Sequence, residues 1–173
     1  MGDLTKRPLV RLIEALNFHN PNANLSLNDL AISAPTVVQN DILHNTKVVL
    51  TPMAGVKTLK NKRSIFYNRL DLQTTFTSRG ITSINAGLAT NTHELLPLIL
   101  AQTGILLEPV DIVLETLTNS PYVLTATATS YGWLGSVSFG QTDITVVPVF
   151  ALDDGTIFGL DDGSILAIDE PEE

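Results

Sequence analysis

The sequence predicts an α+β fold: two main helices, near 6–17 and 93–103, packed on a mostly antiparallel β-sheet, with a C-terminal β-meander. Three observations carry that prediction. Apolar residues recur at helical spacing in two separate stretches. Most other apolar residues fall in short β-branched runs broken by Pro or Gly. The composition, 44% hydrophobic and 16% charged, gives 173 residues enough apolar side chain for the core of one domain, or of one domain with a small appendage. The expected division is an α+β domain over 1–140 and, packed on it, an acidic β-meander with a frayed tail over 141–173.

In chain order, "TKRPLVRLIEALNFHN" reads as the first helix. Leu9, Leu12, Ile13 and Leu16 form one stripe, while Arg11 and Glu14 point elsewhere. Thr5 is the expected cap, Pro8 sits in the first turn where its missing N–H costs little, and "NPNAN" ends the helix. "LSLNDLAISAPTVV" and "NTKVVLTPMAG" are β-rich runs, and "VKTLKNKRSIFYNRLDLQTTF" sets Lys57, Lys60, Lys62 and Arg63 before an aromatic-bearing strand. Residues 80–92 are small and polar and read as a connection. "NTHELLPLILAQTG" is the second helix, capped by Asn91 or Thr92 and stopped by Gly104; Pro97 falls in its first turn or kinks it, depending on where the helix starts. His93 then reads as a helix-start residue rather than a metal ligand.

"ILLEPVDIVLETLT" is either a turn followed by a strand after Asp111 or a short helix opened by Pro109, and the strand is preferred. "YVLTATATSYGWLGSVSF" and "DITVVPVFAL" are strands. Trp133, between Gly132 and Gly135, marks a turn or bulge that carries a large side chain, as a contact point or as a core cap.

The acidic pairs Asp153–Asp154 and Asp161–Asp162, each followed by Gly, invite a metal reading. A helix–loop–helix calcium site alternates its ligands through twelve residues and closes on Glu, and neither feature is present. Asp-Asp-Gly between β-prone runs instead suits a hairpin corner, where Gly takes positive φ and the carboxylates bond local N–H groups.

The chain lacks Cys, which excludes thiolate metal sites and cysteine nucleophiles. His19, His44 and His93 are scattered, and no nucleophile elbow, phosphate loop or His-Glu-x-x-His string occurs. Neither an enzyme nor a cofactor is expected. No apolar run reaches the roughly 20 residues of a membrane helix. The opening "MGDLTKRPLV" lacks the apolar stretch of a secretory signal, and Lys6 stands where myristoylation needs Ser or Thr. The expectation is a soluble, unprocessed chain.

Charge is unevenly placed. Up to Arg79, ten Lys and Arg against five acids leave +5; beyond it, thirteen acids and no Lys or Arg leave −13, for a net −8. Two such parts can attract neighbouring copies, or folding can interleave them so that no patch results. The basic cluster with Phe66 or Tyr67 could meet nucleic acid, but in an acidic chain a solvated hairpin tip is preferred, and nucleic acid is not an expected partner.

Five strings, "RPLVRLIEALN", "NTKVVLTPMAG", "YNRLDLQTTF", "NTHELLPLILAQTGILLEPVDI" and "ATATSYGWLGSVSF", run in order from about residue 7 to 140. Together they resemble a functionally uncharacterised module of virion structural proteins from large-genome (jumbo) tailed bacteriophages. The resemblance implies a structural component of the particle, in its head, tail or baseplate, present in many copies and assembled in the bacterial host cytoplasm. Its partners would be other virion proteins, including copies of itself, and it transfers no catalytic residues. The candidate interface is Lys57, Lys60, Lys62, Arg63, Trp133, Asp153, Asp154, Asp161 and Asp162. Arg69 and Asp71, two apart, are expected to pair, more as a fold lock than as an interface contact. The alternative function is a small adhesive β-module that recognises a carbohydrate or host surface through Trp133 and Tyr131.

Overall fold

Helix α1 (Pro8–His19) begins at the proline of the predicted first turn in the computed structural model, which describes residues 3–39, 41–55, 61–118 and 120–142. These lie in the compact unit Met1–Thr142. Thr5 does not cap the helix. It stands three residues before Pro8, and its hydroxyl closes a local turn on Asp3 Oδ1 at 2.6 Å. The N-cap is Arg7, which offers no side-chain cap. "NPNAN" does end the helix, and Asn17 turns the chain back by exchanging hydrogen bonds with the backbone of Leu25 at 2.7 and 2.9 Å.

A 3-10 turn (Leu27–Asp29) leads into β1 (Leu30–Ile32) and β2 (Thr36–Val37), followed by β3 (Thr46–Pro52) and β4 (Arg63–Tyr67). Strands β1 and β2 pair antiparallel with one edge of β3, and β4 pairs antiparallel with the other. Ser33 bridges the break between β1 and β2 by bonding both the N–H and the carbonyl of Val49. Along β3, Thr46, Val48 and Leu50 are buried in alternation. Ile13 of α1 covers that face with Leu12 and Leu16 alongside, forming the smaller of two cores.

The next stretch departs from expectation. "LDLQTTF" is not the continuation of a strand: β5 (Leu70–Asp71) is two residues long, and a third helix, α2 (Leu72–Ser78), follows. Asp71 starts it by accepting hydrogen bonds from the Thr74 N–H and hydroxyl at 2.8 and 2.7 Å. Thr-rich sequence has low helix propensity, but burial of Leu72, Thr75 and Phe76 overrides it. After β6 (Ser83–Ile84), helix α3 (Thr92–Thr103) is capped as expected, with Asn91 accepting from the Glu94 N–H and Gly104 at φ +69° closing the end. Since α3 starts at Thr92, Pro97 lies past the first turn, where it forgoes a bond to the His93 carbonyl.

The strand expected after Asp111 is extended backbone, not a ladder. It makes two isolated bridges, Ile112 to Ala126 and Thr116 to Asn91. Strands β7 (Tyr122–Thr125), β8 (Trp133–Leu134) and β9 (Ser136–Gln141) follow. β9 sits between β7, antiparallel, and β6, parallel, while β8 runs parallel to β5. Four of the six pairings among the described residues are antiparallel, so the fold is α+β with a mostly antiparallel sheet content. The larger core gathers Leu72 and Phe76 of α2, Leu95, Leu96 and Ile99 of α3, and Val137 and Phe139 of β9 around Trp133. The run "DITVVPVFAL" and the acidic meander lie outside the described residues.

Candidate interaction site at the seam of the two cores

The smaller core ends and the larger begins at Tyr67–Asp71, the string "YNRLD". Its polar side chains interlock with residues 43–46. Asn68 accepts from the Asn45 N–H at 2.8 Å and donates to the Leu43 carbonyl at 2.8 Å. Asn45 in turn clamps the backbone of Arg69 from both sides, at 2.8 and 3.0 Å.

Arg69, only 7% exposed, does not pair with Asp71. Its Nε donates to Thr46 Oγ1 at 2.9 Å, and its Nη1 reaches the carbonyls of Ser130 and Ala128 at 3.2 and 3.3 Å. The two side chains therefore lock the fold separately: Arg69 ties the smaller sheet to the 128–130 loop, and Asp71 caps α2. A buried guanidinium is tolerated there because carbonyl dipoles replace part of its hydration.

The same loop is held from the other side. Asp111 Oδ1 accepts from the Ser130 hydroxyl at 2.6 Å and Oδ2 from the Glu108 N–H at 3.2 Å. Burial pushes the Asp111 carboxyl above its ordinary value, against the lowering effect of those bonds and of Arg11. Ser130 Oγ also accepts from the N–H groups of Gly132 and Trp133. Tyr67 donates its hydroxyl to the Tyr131 carbonyl at 2.9 Å, and burial pushes its phenol up to about 12.

Arg11 lies off the apolar stripe of α1, and its guanidinium lies over the Trp133 ring, 5.4 Å from the centroid. The Nε of Arg11 and the Nε1 of Trp133 are both buried without a hydrogen-bond partner among the described residues. Gly132 permits this approach, since a Cβ there would fall 2.6 Å from the Pro8 ring and 3.0 Å from Arg11 Nη2. Beside Arg11 a cleft of about 270 Å³ opens between α1 (Pro8, Leu12) and the wall made by Tyr67, Leu70 and Tyr131.

Trp133 is 0% exposed, so of the two expected roles it takes that of a core residue, and its place in the candidate interface is corrected. A flat ring flanked by glycines suits a buried turn as well as an exposed one, and here parallel pairing of β8 with β5 draws it inward. Lys62 and Arg63 do lie exposed at the start of β4. Lys57, Lys60, Asp153, Asp154, Asp161 and Asp162 lie outside the described residues. His93 points its Nε2 at the Ile112 carbonyl, 2.9 Å away, the local role expected of a helix-start residue.

Sequence reading missed a further surface. On the open side of β3 and β4, Phe66 is 45% exposed, with Lys47 Nζ 5.7 Å from its ring centre and the His44 ring 6.2 Å away. His44 is fixed by Asp41, whose carboxylate lies 3.0 Å from Nδ1 and is held below its usual range by the N–H of Leu43 and by His44. Between them Ile42 and Leu43 stand 98% and 69% exposed. The adjacent apolar pair in a polar loop was the signal available.

A family model matches residues 1–144; its description is a family of unknown function, DUF7941. No curated protein and no solved structure matches the chain.

Proposed function

For a chain that belongs to the DUF7941 family, we propose a structural role in a tailed-phage virion, exerted through protein–protein contacts and without catalysis. The observation that carries this reading is the surface at the β3–β4 end. Ile42 and Leu43 are held out by a loop that Asn45 and Asn68 pin in place, beside the exposed Phe66 with Lys47 over its ring. Lys62 and Arg63 lie at the other end of the ladder, where Arg63 pairs with Leu50. Exposed apolar side chains fixed on a rigid frame suit a protein–protein interface, and Lys47 favours an acidic group on the partner. The resemblance of the five strings to phage particle proteins supplies the setting.

The polar side chains point the same way. Arg69, Asp71, Asp111 and His93 are each engaged in a cap, a latch or a backbone bond, which supports stabilisation rather than proton transfer. The partners proposed are other particle proteins and further copies of this chain, meeting through the basic β4 region and acidic segments of neighbours. Burial of Trp133 removes the first aromatic on which a carbohydrate-binding reading would rest.

Mass spectrometry of purified virions, separated into heads and tails, is expected to find the chain as a particle component. Complete particles that lack it overturn the proposal.

A further inference from the structure

We infer that the cleft beside Arg11 is a receptor for an acidic peptide segment of a neighbouring protein, with one carboxylate on the Arg11 guanidinium and an apolar flank between Tyr67 and Tyr131. The inference deepens the assembly reading and rests on it.

Four features of the cleft lead there. First, Arg11 makes no direct ion pair: the ion pairs among the described residues are Lys6–Glu14, Arg7–Glu108 and His44–Asp41, and Asp111 and Asp3 act on Arg11 only at longer range. The Asp111 carboxylate spends its hydrogen bonds on Ser130 and the Glu108 N–H. Second, stacking on Trp133 and the close pass of Gly132 fix the guanidinium without using its donors. A pre-positioned Arg fork loses little entropy when a carboxylate arrives. Third, the walls are mostly apolar, and a cleft of about 270 Å³ holds one or two side chains, not a domain surface. Fourth, a single cation in an apolar slot favours a carboxylate with a hydrocarbon flank over a polyanion, which would need several cations along its length.

Residues 168–173, "IDEPEE", have the chemistry required: four carboxylates beside Ile168 and Pro171. A peptide of residues 167–173, acetylated and amidated, is therefore the probe. Its control is AINQPQQ, the same shape without charge. Trp133 is the only tryptophan of the chain and lies under Arg11, so its fluorescence reports the site directly.

Titration of the full chain with the acidic peptide is expected to give a saturable change in Trp133 emission, and AINQPQQ none. Arg11→Gln should weaken binding about tenfold or more, as loss of a charge-assisted bond implies. Ala15→Glu is a second variant, on an exposed position that lines the cleft. Four residues from Arg11 on α1, the new carboxylate should occupy the guanidinium and block the peptide while the helix stays folded. The inference is overturned if the two peptides act alike, if inorganic phosphate gives the same response, or if Ala15→Glu binds as the parent does. A chain that ignores the peptide yet self-associates in a salt-dependent way would sink this site and leave the assembly reading standing.

Discussion

The smaller core draws nearly all its residues from a short span, Leu12 to Tyr67, with Tyr131 the exception. The larger collects Leu4 together with residues from Leu70 to Phe139. Among the described residues four hydrophobic side chains are buried in the first and fifteen in the second, so the first cannot stand alone on apolar burial. What joins them is polar: Arg69 to the 128–130 loop, Tyr67 to the Tyr131 carbonyl, Asn45 around the Arg69 backbone. Polar bonds fix a position by direction, whereas apolar packing fills space. A seam built from them can therefore be well placed and still leave a cleft open, as it does beside Arg11.

The contrast can be broken most severely in the larger core. Trp133→Ala removes its largest buried ring and should cost about 4 kcal/mol, with some relief because an unpartnered indole N–H leaves with it. Urea unfolding followed by far-ultraviolet circular dichroism measures this. A loss under about 1 kcal/mol would mean that the larger core does not close around that ring.

The seam comes next. Arg69→Met keeps much of the side-chain volume but leaves two loop carbonyls and the Thr46 hydroxyl without their donor, at a cost of about 3 kcal/mol. More telling than the size is the shape of unfolding. With the latch gone, Trp133 fluorescence should no longer track circular dichroism, since one reports the larger core and the other both. Coincident transitions would show that apolar contacts alone couple the two cores.

Leu50→Ala in the smaller core should cost less, about 2 kcal/mol, because half-buried neighbours such as Ile65 can relax into the space. Hydrogen exchange should quicken in β3 and β4 and stay slow in α3 and β9. Uniform quickening would mean the two cores open as one.

Sequence legibility followed the same division. The helices α1 and α3 were legible because each carries a helical stripe and a stop signal, and α3 a true cap, all within a dozen residues. Helix α2 was not, since Leu72, Thr75 and Phe76 become helical through contacts with β9 and α3 that no local pattern encodes. The contact between Trp133 and Arg11 was not legible for a related reason. Each was judged by its neighbours in the chain, yet each is placed by the other, 122 positions away. The Arg69–Asp71 pair was right in being structural and wrong in partnership: alternation put the two on one face, but a helix starts at Asp71 and Arg69 turns to the 128–130 loop. The cations Lys62 and Arg63 were legible as exposed because a charged run before a strand has nowhere else to go.

The smallest expected effect tests the far anchor of the seam. Burial raises the Asp111 carboxyl, while Ser130, the Glu108 N–H and Arg11 offset part of that rise. An acid whose native value is raised keeps its proton longer folded than unfolded. Its contribution to stability is therefore present at low pH and is lost as pH climbs from about 4, the unfolded value, through the native one. Asp3, Asp41 and Glu94 work in the opposite direction and at lower pH: held low by hydrogen bonds, they give a stabilisation that is gained as pH climbs to their unfolded values of about 4 and is complete above them. The raw profile mixes these. Subtracting the profile of Asp111→Asn isolates the one group, since loss of the Glu108 bond in that variant is the same at every pH. The stability of the parent relative to the variant should fall as pH climbs above about 4, read from urea midpoints in matched buffers. A difference that rises with pH would mean that hydrogen bonds outweigh burial at Asp111, and that Ser130 is held by a full carboxylate even in acid.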